Sequence, residues 1–115
     1  MNTTLQQIAK AFSEGDLSPT YVSMSDNIRW QIIGASTIDG KNNVINHCNR
    51  MKAEMGNSAL INTNCIVGEN MVAVQGYCAY HTDSGAPGRV DYCDVYKFSG
   101  EELSAITSYV IEVKA

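Results

Sequence analysis

The fold is decided by Arg89-Val90-Asp91-Tyr92-Cys93-Asp94-Val95-Tyr96-Lys97-Phe98, a stretch that is followed by a Ser99-Gly100 pair and a second apolar run over 103–113. β-Branched and aromatic residues of this kind are typical of strands, and a Ser-Gly pair is typical of a reversal of the chain. The stretch therefore predicts the last hairpin of a β-sheet.

A carboxylate interrupts the aromatic pattern of this hairpin. Because side chains alternate along a strand, Tyr92, Asp94, Tyr96 and Phe98 share one face, whereas Asp91 lies on the other. Desolvation among aromatic rings disfavours the charged form of a carboxyl group, which makes Asp94 a plausible proton donor and the candidate catalytic residue. The alternative, weighed equally, is a structural carboxyl group that is hydrogen-bonded to a tyrosine or a backbone amide.

The segments upstream of the hairpin extend the sheet. Residues 60–67 and 71–81 are strand-like, and turn sequences over 68–70 and 83–88 separate them from each other and from the hairpin. Four successive strands joined by short turns predict an antiparallel meander.

Helical spacing dominates the N-terminal half. Leu5, Ile8, Ala9 and Phe12 form one stripe, with Asn2, Thr3 or Thr4 as possible caps. A capping serine before Pro19 predicts a short second helix that carries Tyr21, Val22 and Met24 and ends at Asp26-Asn27.

A strand and a third helix complete this half. Residues 28–33 are too short and too β-branched for a helix and predict a strand. Asp39 is the predicted N-cap of a helix that ends at Gly56. The apolar stripe of this helix consists of Val44, Ile45, Cys48, Met51 and Met55. Helices first and strands afterwards predict an α+β fold, with helices on one face of a strongly curved antiparallel sheet.

Bulk properties exclude several classes of function. A chain of 115 residues predicts a single domain over 1–115. With a net charge of −4 and scattered Lys and Arg, we expect no nucleic-acid partner. No apolar segment is long enough to cross a membrane and no signal sequence opens the chain, so we expect no membrane partner and a cytoplasmic location.

The sequence offers no cofactor motif. The four cysteines are widely spaced within apolar segments, which predicts buried, reduced thiols, and no short-spaced ligand pair predicts a metal site. The stretch 34–41 superficially suggests a phosphate-binding loop, but it has five residues between its glycines instead of four and lacks Ser or Thr after Lys41. We therefore expect neither a metal nor another cofactor.

The order of elements and three stretches resemble the SnoaL-like branch of the nuclear transport factor two-like superfamily, which includes ketosteroid isomerase and polyketide cyclases. The stretches are Phe12-Ser13-Glu14-Gly15-Asp16, Ile28-Arg29-Trp30-Gln31-Ile32-Ile33-Gly34 followed by Gly40-Lys41, and Tyr92-Cys93-Asp94-Val95-Tyr96-Lys97-Phe98 with 106–110. The resemblance implies a cone, a cystatin-like α+β barrel in which the curved sheet wraps around the N-terminal helices. It also implies an apolar pocket that is open at one end.

The resemblance gives Asp94 a role. It matches the position at which ketosteroid isomerase has the aspartic acid of its oxyanion hole, a carboxyl group kept protonated by an apolar site. The isomerase's general base falls near Gln31 and its oxyanion tyrosine near Ile8, and neither residue can take over those roles. Steroid isomerisation by that mechanism is therefore not expected.

Six residues are the candidate ligand-binding set: Trp30, Gln31, His47, Tyr80, Tyr92 and Tyr96. Gln31, His47, Tyr80 or Tyr92 would orient a carbonyl or hydroxyl group of a ligand. For Trp30 we favour a role as a core anchor over ligand stacking, and for His47 a partly buried, hydrogen-bonded state over a place in the pocket.

The resemblance also assigns the two faces of the sheet. It points Val74, Gly76, Cys78 and Tyr80 into the cone, together with Ile106, Ser108 and Val110. Gln75, Tyr77 and Tyr109 then lie on the outer face, which implies a homodimer, because an exposed face with large aromatic residues tends to be covered.

Three functions remain open from the sequence. The first is an enzyme that acts on a small hydrophobic molecule by proton transfer, as an isomerase, cyclase or dehydratase. The second is a module that binds such a molecule without transforming it, which the amide at Gln31 favours. The third is a dimeric protein-interaction domain whose pocket has no role.

Overall fold

The computed structural model describes residues 4–55 and 58–113. In chain order its elements are α1 (Leu5–Ser13), a 3₁₀ helix (Ser18–Ser23), β1 (Met24–Ile32), β2 (Ser36–Asp39), α2 (Lys41–Met55), β3 (Ala59–Val67), β4 (Met71–His81), β5 (Pro87–Ser99) and β6 (Glu102–Glu112). The predicted Gly56 stop of the third helix lies outside the described residues, as do two of the possible caps of the first helix, Asn2 and Thr3.

The strands form one curved, unclosed sheet in the order β2-β1-β6-β5-β4-β3. Strands β3 to β6 are an antiparallel meander, as predicted. Strand β1 pairs antiparallel with β2 but parallel with β6, so the sheet is mixed at this side. The α+β cone predicted from the sequence is confirmed.

Helix α1 begins where its capping residues dictate. The Thr4 hydroxyl accepts a hydrogen bond from the Gln7 backbone N–H at 3.2 Å, and the Gln7 side chain accepts one from the Thr4 N–H at 2.9 Å. This reciprocal box satisfies backbone donors that have no partner within the helix. The predicted stripe of Ile8, Ala9 and Phe12 is buried against the sheet.

Two local predictions are wrong. The second helix is a 3₁₀ turn, and Met24 already begins β1, whose extended backbone continues through Asp26 and Asn27. Asp39 ends strand β2 instead of capping α2, and its carboxylate accepts a hydrogen bond from Arg29 Nε at 2.7 Å. The short strand β2 escapes sequence reasoning because three of its four residues are exposed and the half-buried Ile38 alone makes no alternating pattern.

Both helices pack on the inner face of the sheet and share its core. Phe12 lies at the centre, with its ring edge-on to Trp30 at 5.2 Å and to Tyr96 at 5.9 Å between centroids. Such T-shaped pairs add to the free energy gained from burial. The alternation predicted for β4 is present, since Val74, Gly76 and Cys78 are buried whereas Gln75 is exposed.

Gly76 allows β3, β4 and β5 to approach one another around a tyrosine. A Cβ at this position would collide with the backbone oxygen of Ile61 and with the phenol of Tyr92. Only glycine at this position leaves room for the Tyr92 side chain to lie across β4 on the inner face of the sheet.

We predict that Gly76→Ala lowers the free energy of unfolding by about 2 kcal/mol or more, because the new methyl group overpacks a strand pair that cannot give way. The matched control is Gly68→Ala, whose Cβ would meet its nearest neighbour, the Met71 oxygen, at an ordinary 3.4 Å. Denaturant unfolding of both variants measures the difference. Equal effects would contradict the packing argument.

Candidate functional site

A pocket opens between the helices and the inner face of the sheet. Its volume is about 190 Å³. Its walls are mostly apolar and come from both helices and from strands across the sheet: Phe12, Met51 and Met55 from the helices, and Trp30, Ile32, Leu60, Val90 and Val110 from the strands. The polar residues of the lining are Ser13, Tyr92, Asp94 and Ser108.

Asp94 is the carboxyl group of this pocket. It lies on the inner face of β5, between Tyr92 and Tyr96 as the alternation predicts, and only 8% of the residue is exposed. A carboxyl group at this depth needs hydrogen-bond donors to offset the loss of water.

One donor to Asp94 comes from the last residue of α1. The Ser13 hydroxyl donates to Asp94 Oδ2 at 2.8 Å and also lies within a short hydrogen bond of the Tyr96 phenol. The Tyr96 hydroxyl is 3.5 Å from the same carboxyl oxygen. These contacts connect the helix to the face of the sheet that carries the carboxyl group.

A second donor comes from the neighbouring strand. Ser108 of β6 lies directly opposite Asp94 in the strand register, and its hydroxyl hydrogen-bonds the carboxylate. The same Ser108 oxygen accepts a hydrogen bond from the indole Nε1 of Trp30 at 2.9 Å. Trp30 of β1 is therefore connected to Asp94 through Ser108.

Burial is the main influence on the acidity of Asp94. Desolvation raises the pKa of its carboxyl group above the usual range, and the hydrogen bonds from Ser108, Ser13 and Tyr96 oppose that rise. Burial and the nearby Asp94 charge also raise the pKa of Tyr96 and Tyr92. The two phenols therefore stay protonated, and Asp94 is the group of the cluster that can exchange a proton.

Tyr92 forms the other polar contact of the wall. Its hydroxyl donates to Asn62 Oδ1 at 2.6 Å, and the Asn62 amide donates to the backbone oxygen of Lys10 at 3.0 Å. The phenol is thus fixed to β3 and, through Asn62, to helix α1.

A comparison with solved structures identifies the family of this chain. An NTF2-like protein of unknown function from Cytophaga hutchinsonii is 41% identical, with a TM-score of 0.87 over 90% of this chain and 93% of that one. The chain belongs to the NTF2-like family. No family model matches it, and no curated protein matches it in sequence.

More distant structures share the NTF2-like fold at low identity. A SnoaL-like polyketide cyclase candidate from Jannaschia superposes with a TM-score of 0.76 at 11% identity, over 96% of this chain and 90% of that one. The epoxide hydrolase/cyclase-like enzyme SalBIII, which has a role in pyran ring formation in the polyether salinomycin, superposes with a TM-score of 0.69 at 12% identity, over 90% and 84%. The superfamily resemblance found in the sequence is confirmed.

The structure of this NTF2-like protein brings three of the predicted site residues into the pocket wall: Asp94, Tyr92 and Trp30. Trp30 has a core role as well, since it is 4% exposed and contacts Phe12. Tyr96 is completely buried and does not line the pocket. It lies under α1, where its hydroxyl contacts Ser13 and is 3.5 Å from Asp94 Oδ2.

Three other predicted ligand contacts do not line the pocket of this NTF2-like protein. Gln31 is exposed on the outer face, because the alternation that turns Trp30 inward turns its neighbour outward. His47 of α2 lies edge-on to Trp30 at 5.2 Å between ring centroids. Tyr80 turns inward near the end of β4, where its ring packs against the Gly88 backbone.

Two features of the lining were not assigned to the site from the sequence. Ser13 follows Ala9 by four residues and so continues the buried stripe of α1, a signal that could have found it. Met51 and Met55 occupy the predicted apolar stripe of α2, but the stripe alone cannot distinguish a pocket wall from core packing. Their flexible side chains suit a wall that adapts to the shape of a ligand.

Other kinds of site would involve metal-ligating side chains, reactive cysteines or membrane-spanning helices. Within residues 4–55 and 58–113, no group of three or more His, Cys, Asp or Glu side chains is placed to hold a metal ion. All four cysteines are free: Cys48 and Cys78 are buried, whereas Cys65 and Cys93 are half-buried. Neither described helix is long and apolar enough to cross a membrane.

The raised pKa of Asp94 predicts a pH-dependent stability. A carboxyl group whose pKa is higher in the folded than in the unfolded chain binds more protons when folded. Its contribution is fully present below the ordinary carboxyl range and is lost as the pH rises through the folded pKa. We expect the unfolding free energy of the parent chain to fall over that interval relative to Asp94→Asn, which lacks this titration.

Denaturant unfolding at a series of pH values measures that difference. Asp91→Asn is the matched control, because Asp91 is an exposed carboxylate three residues away on the same strand. A difference between the parent and Asp94→Asn that stays constant with pH would contradict the assignment.

Proposed function

We propose that this protein catalyses proton transfer on a small, uncharged hydrophobic molecule, as an isomerase, cyclase or dehydratase, with Asp94 as the acid and base. The observation that carries the proposal is the placement of one buried carboxyl group in the wall of an otherwise apolar pocket. Such a combination of desolvation and a cleft is typical of groups that exchange protons in catalysis.

The charge of the lining supports an uncharged substrate. Among residues 4–55 and 58–113, those that line the pocket include one carboxyl group and no Lys, Arg or His. An anionic ligand would lose its hydration without gaining a cationic partner and would also meet the Asp94 carboxylate. A molecule with a carbonyl, hydroxyl or ether oxygen can instead hydrogen-bond Asp94 while its carbon skeleton contacts the apolar walls.

A single exchangeable carboxyl group also limits the type of reaction. In an isomerisation, Asp94 would take a proton from one carbon and return it to another, so that no net proton is gained or lost. In a dehydration, Asp94 would donate its proton to the leaving hydroxyl oxygen as the C–O bond breaks, and the carboxylate so formed would take a proton from the neighbouring carbon as the double bond forms, so that water is released. In a cyclisation, its proton would go to the oxygen whose C–O bond breaks, and the carboxylate would take the proton of the hydroxyl group whose oxygen closes the ring. The names of the cyclase-like structures with the same fold support this range of chemistry without identifying the substrate.

A non-catalytic binding module is the second candidate. It is favoured by the outward position of Gln31 and by the hydrogen bond that engages Tyr92 with Asn62, which together leave Asp94 without a partner acid or base in the pocket. In that case the pocket would hold the same class of molecule, and Asp94 would serve as its hydrogen-bond partner.

The enzyme hypothesis is tested with a β,γ-unsaturated cyclohexenone as a minimal substrate. Ultraviolet absorbance follows its conversion to the conjugated isomer. We expect the parent chain to accelerate this conversion and Asp94→Asn to lower the rate by roughly 100-fold or more, the usual contribution of a general acid or base. Asp91→Asn is expected to keep the parent rate.

Binding of a fluorescent naphthol separates the two candidate functions. Naphthol binding in the pocket without any isomerisation would support the binding module and contradict catalysis on this class of ketone. A rate that is unchanged in Asp94→Asn would remove Asp94 from the mechanism.

We also propose that the protein forms a homodimer through its outer sheet face. This face, defined here by Ile61, Ile66, Met71, Tyr109 and Ile111, contains large apolar residues with 42% to 66% exposure. Their positions in the strand register place all five on the side opposite the pocket. An apolar face of this kind marks a protein contact more often than open surface.

We expect Tyr109→Glu combined with Ile111→Glu to weaken dimerisation by at least about tenfold, because charged groups replace apolar contacts at the proposed centre of the interface. Val22→Glu is the control, since Val22 is 85% exposed on the 3₁₀ helix and outside the sheet. Analytical ultracentrifugation measures the association. A parent chain that stays monomeric at high concentration would refute the proposal.

A further inference from the structure

Each serine that donates a hydrogen bond to Asp94 also accepts one from a second buried group. For Ser13 this group is the Tyr96 hydroxyl, and for Ser108 it is the indole N–H of Trp30. The two serines come from different elements, α1 and β6. This repeated arrangement restricts where every proton of the cluster can lie.

The Ser108 side of the cluster is determined by the chemistry of indole. The Trp30 Nε1–H is a donor only, so Ser108 must be the acceptor in the bond of 2.9 Å between them. Ser108 is 3% exposed and lies directly opposite Asp94 in the strand register, so the Asp94 carboxylate is the acceptor that faces its proton. Trp30 therefore orients Ser108 as a donor to Asp94.

The Ser13 side follows from the burial of Tyr96. The Tyr96 hydroxyl is completely buried. It has two polar contacts, a short one with Ser13 Oγ and one of 3.5 Å with Asp94 Oδ2. A buried hydroxyl proton needs an acceptor, and the shorter contact is the stronger hydrogen bond. Tyr96 therefore donates to Ser13, and Ser13 donates to Asp94 Oδ2 at 2.8 Å.

The consequence concerns the proton that Asp94 itself carries when it is protonated. If that proton were donated to either serine, the serine's own proton would lose its acceptor. In this arrangement neither serine accepts the Asp94 proton. The remaining direction from Asp94 is the pocket, whose wall it helps to form.

We propose that Ser13 and Ser108 are positioning residues, oriented as donors by Tyr96 and Trp30, so that the acid proton of Asp94 is shared with a molecule in the pocket and not with the protein. The use of that proton in catalysis rests on the proposed function, but the orientation of the two serines does not.

Charged groups do not explain the arrangement. The groups that influence Asp94 are Ser108 of β6, Ser13 of α1 and Tyr96 of β5, and Tyr92 and Cys93 of its own strand respond to its charge. Strand β4 contributes Val74 opposite Asp94. None of the described Lys, Arg, His, Asp or Glu side chains is among the influences on the Asp94 pKa.

The test is a titration of Asp94 by NMR in the full, ligand-free chain with a ¹³C-labelled aspartate carboxyl group. We expect Ser13→Ala and Ser108→Ala each to lower the acid dissociation constant of Asp94 by about tenfold, since each removes a hydrogen bond to the charged form. Tyr96→Phe is the decisive variant, because it keeps both serines but removes the donor that orients Ser13 toward Asp94. We expect it to lower the constant as well.

Matched controls separate this role from a general loss of packing. Ser104→Ala removes a serine on β6 whose hydroxyl bonds the backbone oxygen of Lys97, and Tyr109→Phe removes a phenol on the outer face next to Ser108. Both are expected to leave the Asp94 titration unchanged. An Asp94 titration that is also unchanged in Tyr96→Phe would overturn the proposal, even if that variant were less stable.

The hydrogen bond from Trp30 to Ser108 can be measured directly, without a titration of the Asp94 carboxyl group. Trp30 is the only tryptophan of the chain, so its indole N–H gives a single proton resonance. We expect that resonance to move upfield in Ser108→Ala, where the acceptor is lost, and to stay in place in Ser104→Ala. An indole resonance that does not move in Ser108→Ala would refute the orientation of Ser108.

The same measurements distinguish this inference from the proposed function. They use no ligand and no turnover, so an absence of isomerase activity would leave them intact. Conversely, an active enzyme with an unperturbed titration in all three variants would keep Asp94 as the acid and base and would reject the two serines as positioning residues.

Discussion

The structure depends on keeping a carboxyl group out of water at the junction of three elements. Asp94 of β5 receives hydrogen bonds from Ser13 at the end of α1 and from Ser108 of β6. An unpaired carboxylate at this depth costs free energy, and a small domain has little to spare, so these donors stabilise the folded chain. The position of α1 on the sheet and the register of β5 on β6 are thus constrained by the same carboxyl group that lines the pocket.

The aromatic core places these donors. Phe12 precedes Ser13 and is held edge-on between Trp30 and Tyr96, so the ring contacts that bury α1 also fix the serine beside it. Trp30 and Tyr96 have a second role through their polar atoms, which bond Ser108 and Ser13. Buried Trp and Tyr commonly combine an apolar body with one hydrogen bond in this way. A substitution that changes the packing of Trp30 or Tyr96 therefore also changes the hydrogen bonds at the site.

Much of the fold could be predicted from the sequence, because strand and helix periods are local properties. The meander of β3 to β6 and the stripe of α1 follow directly from alternation and from helical spacing. The parallel pairing of β1 with β6 could not be derived in this way, since it joins segments far apart in the chain. Strand β2 was missed because its exposed residues have no pattern, and Asp39 was misassigned because the same residue type suits a helix cap and an ion pair.

The candidate site shows the same division between local and distant information. The inward face of Asp94 and Tyr92 follows from period two, and the same rule applied strictly would have excluded Gln31, which lies next to the inward Trp30. The partners of Asp94 are a different matter, because Ser13 and Ser108 precede and follow it by 81 and 14 residues. Serine carries no signal of its own for such a role.

The surroundings of Asp94 also bear on how a site can lose one chemistry and keep another. Where the resemblance to ketosteroid isomerase places a base and a tyrosine, this chain has Gln31 on the outer face and Ile8 in the core. The carboxyl group nevertheless keeps donors on two sides, and its contact with the pocket is left for a ligand. A group arranged in this way needs no second titratable residue to move a proton within one substrate, because it can accept and return that proton itself. Reactions that relocate a proton within an uncharged molecule are therefore the ones that the proposed function assigns to this pocket.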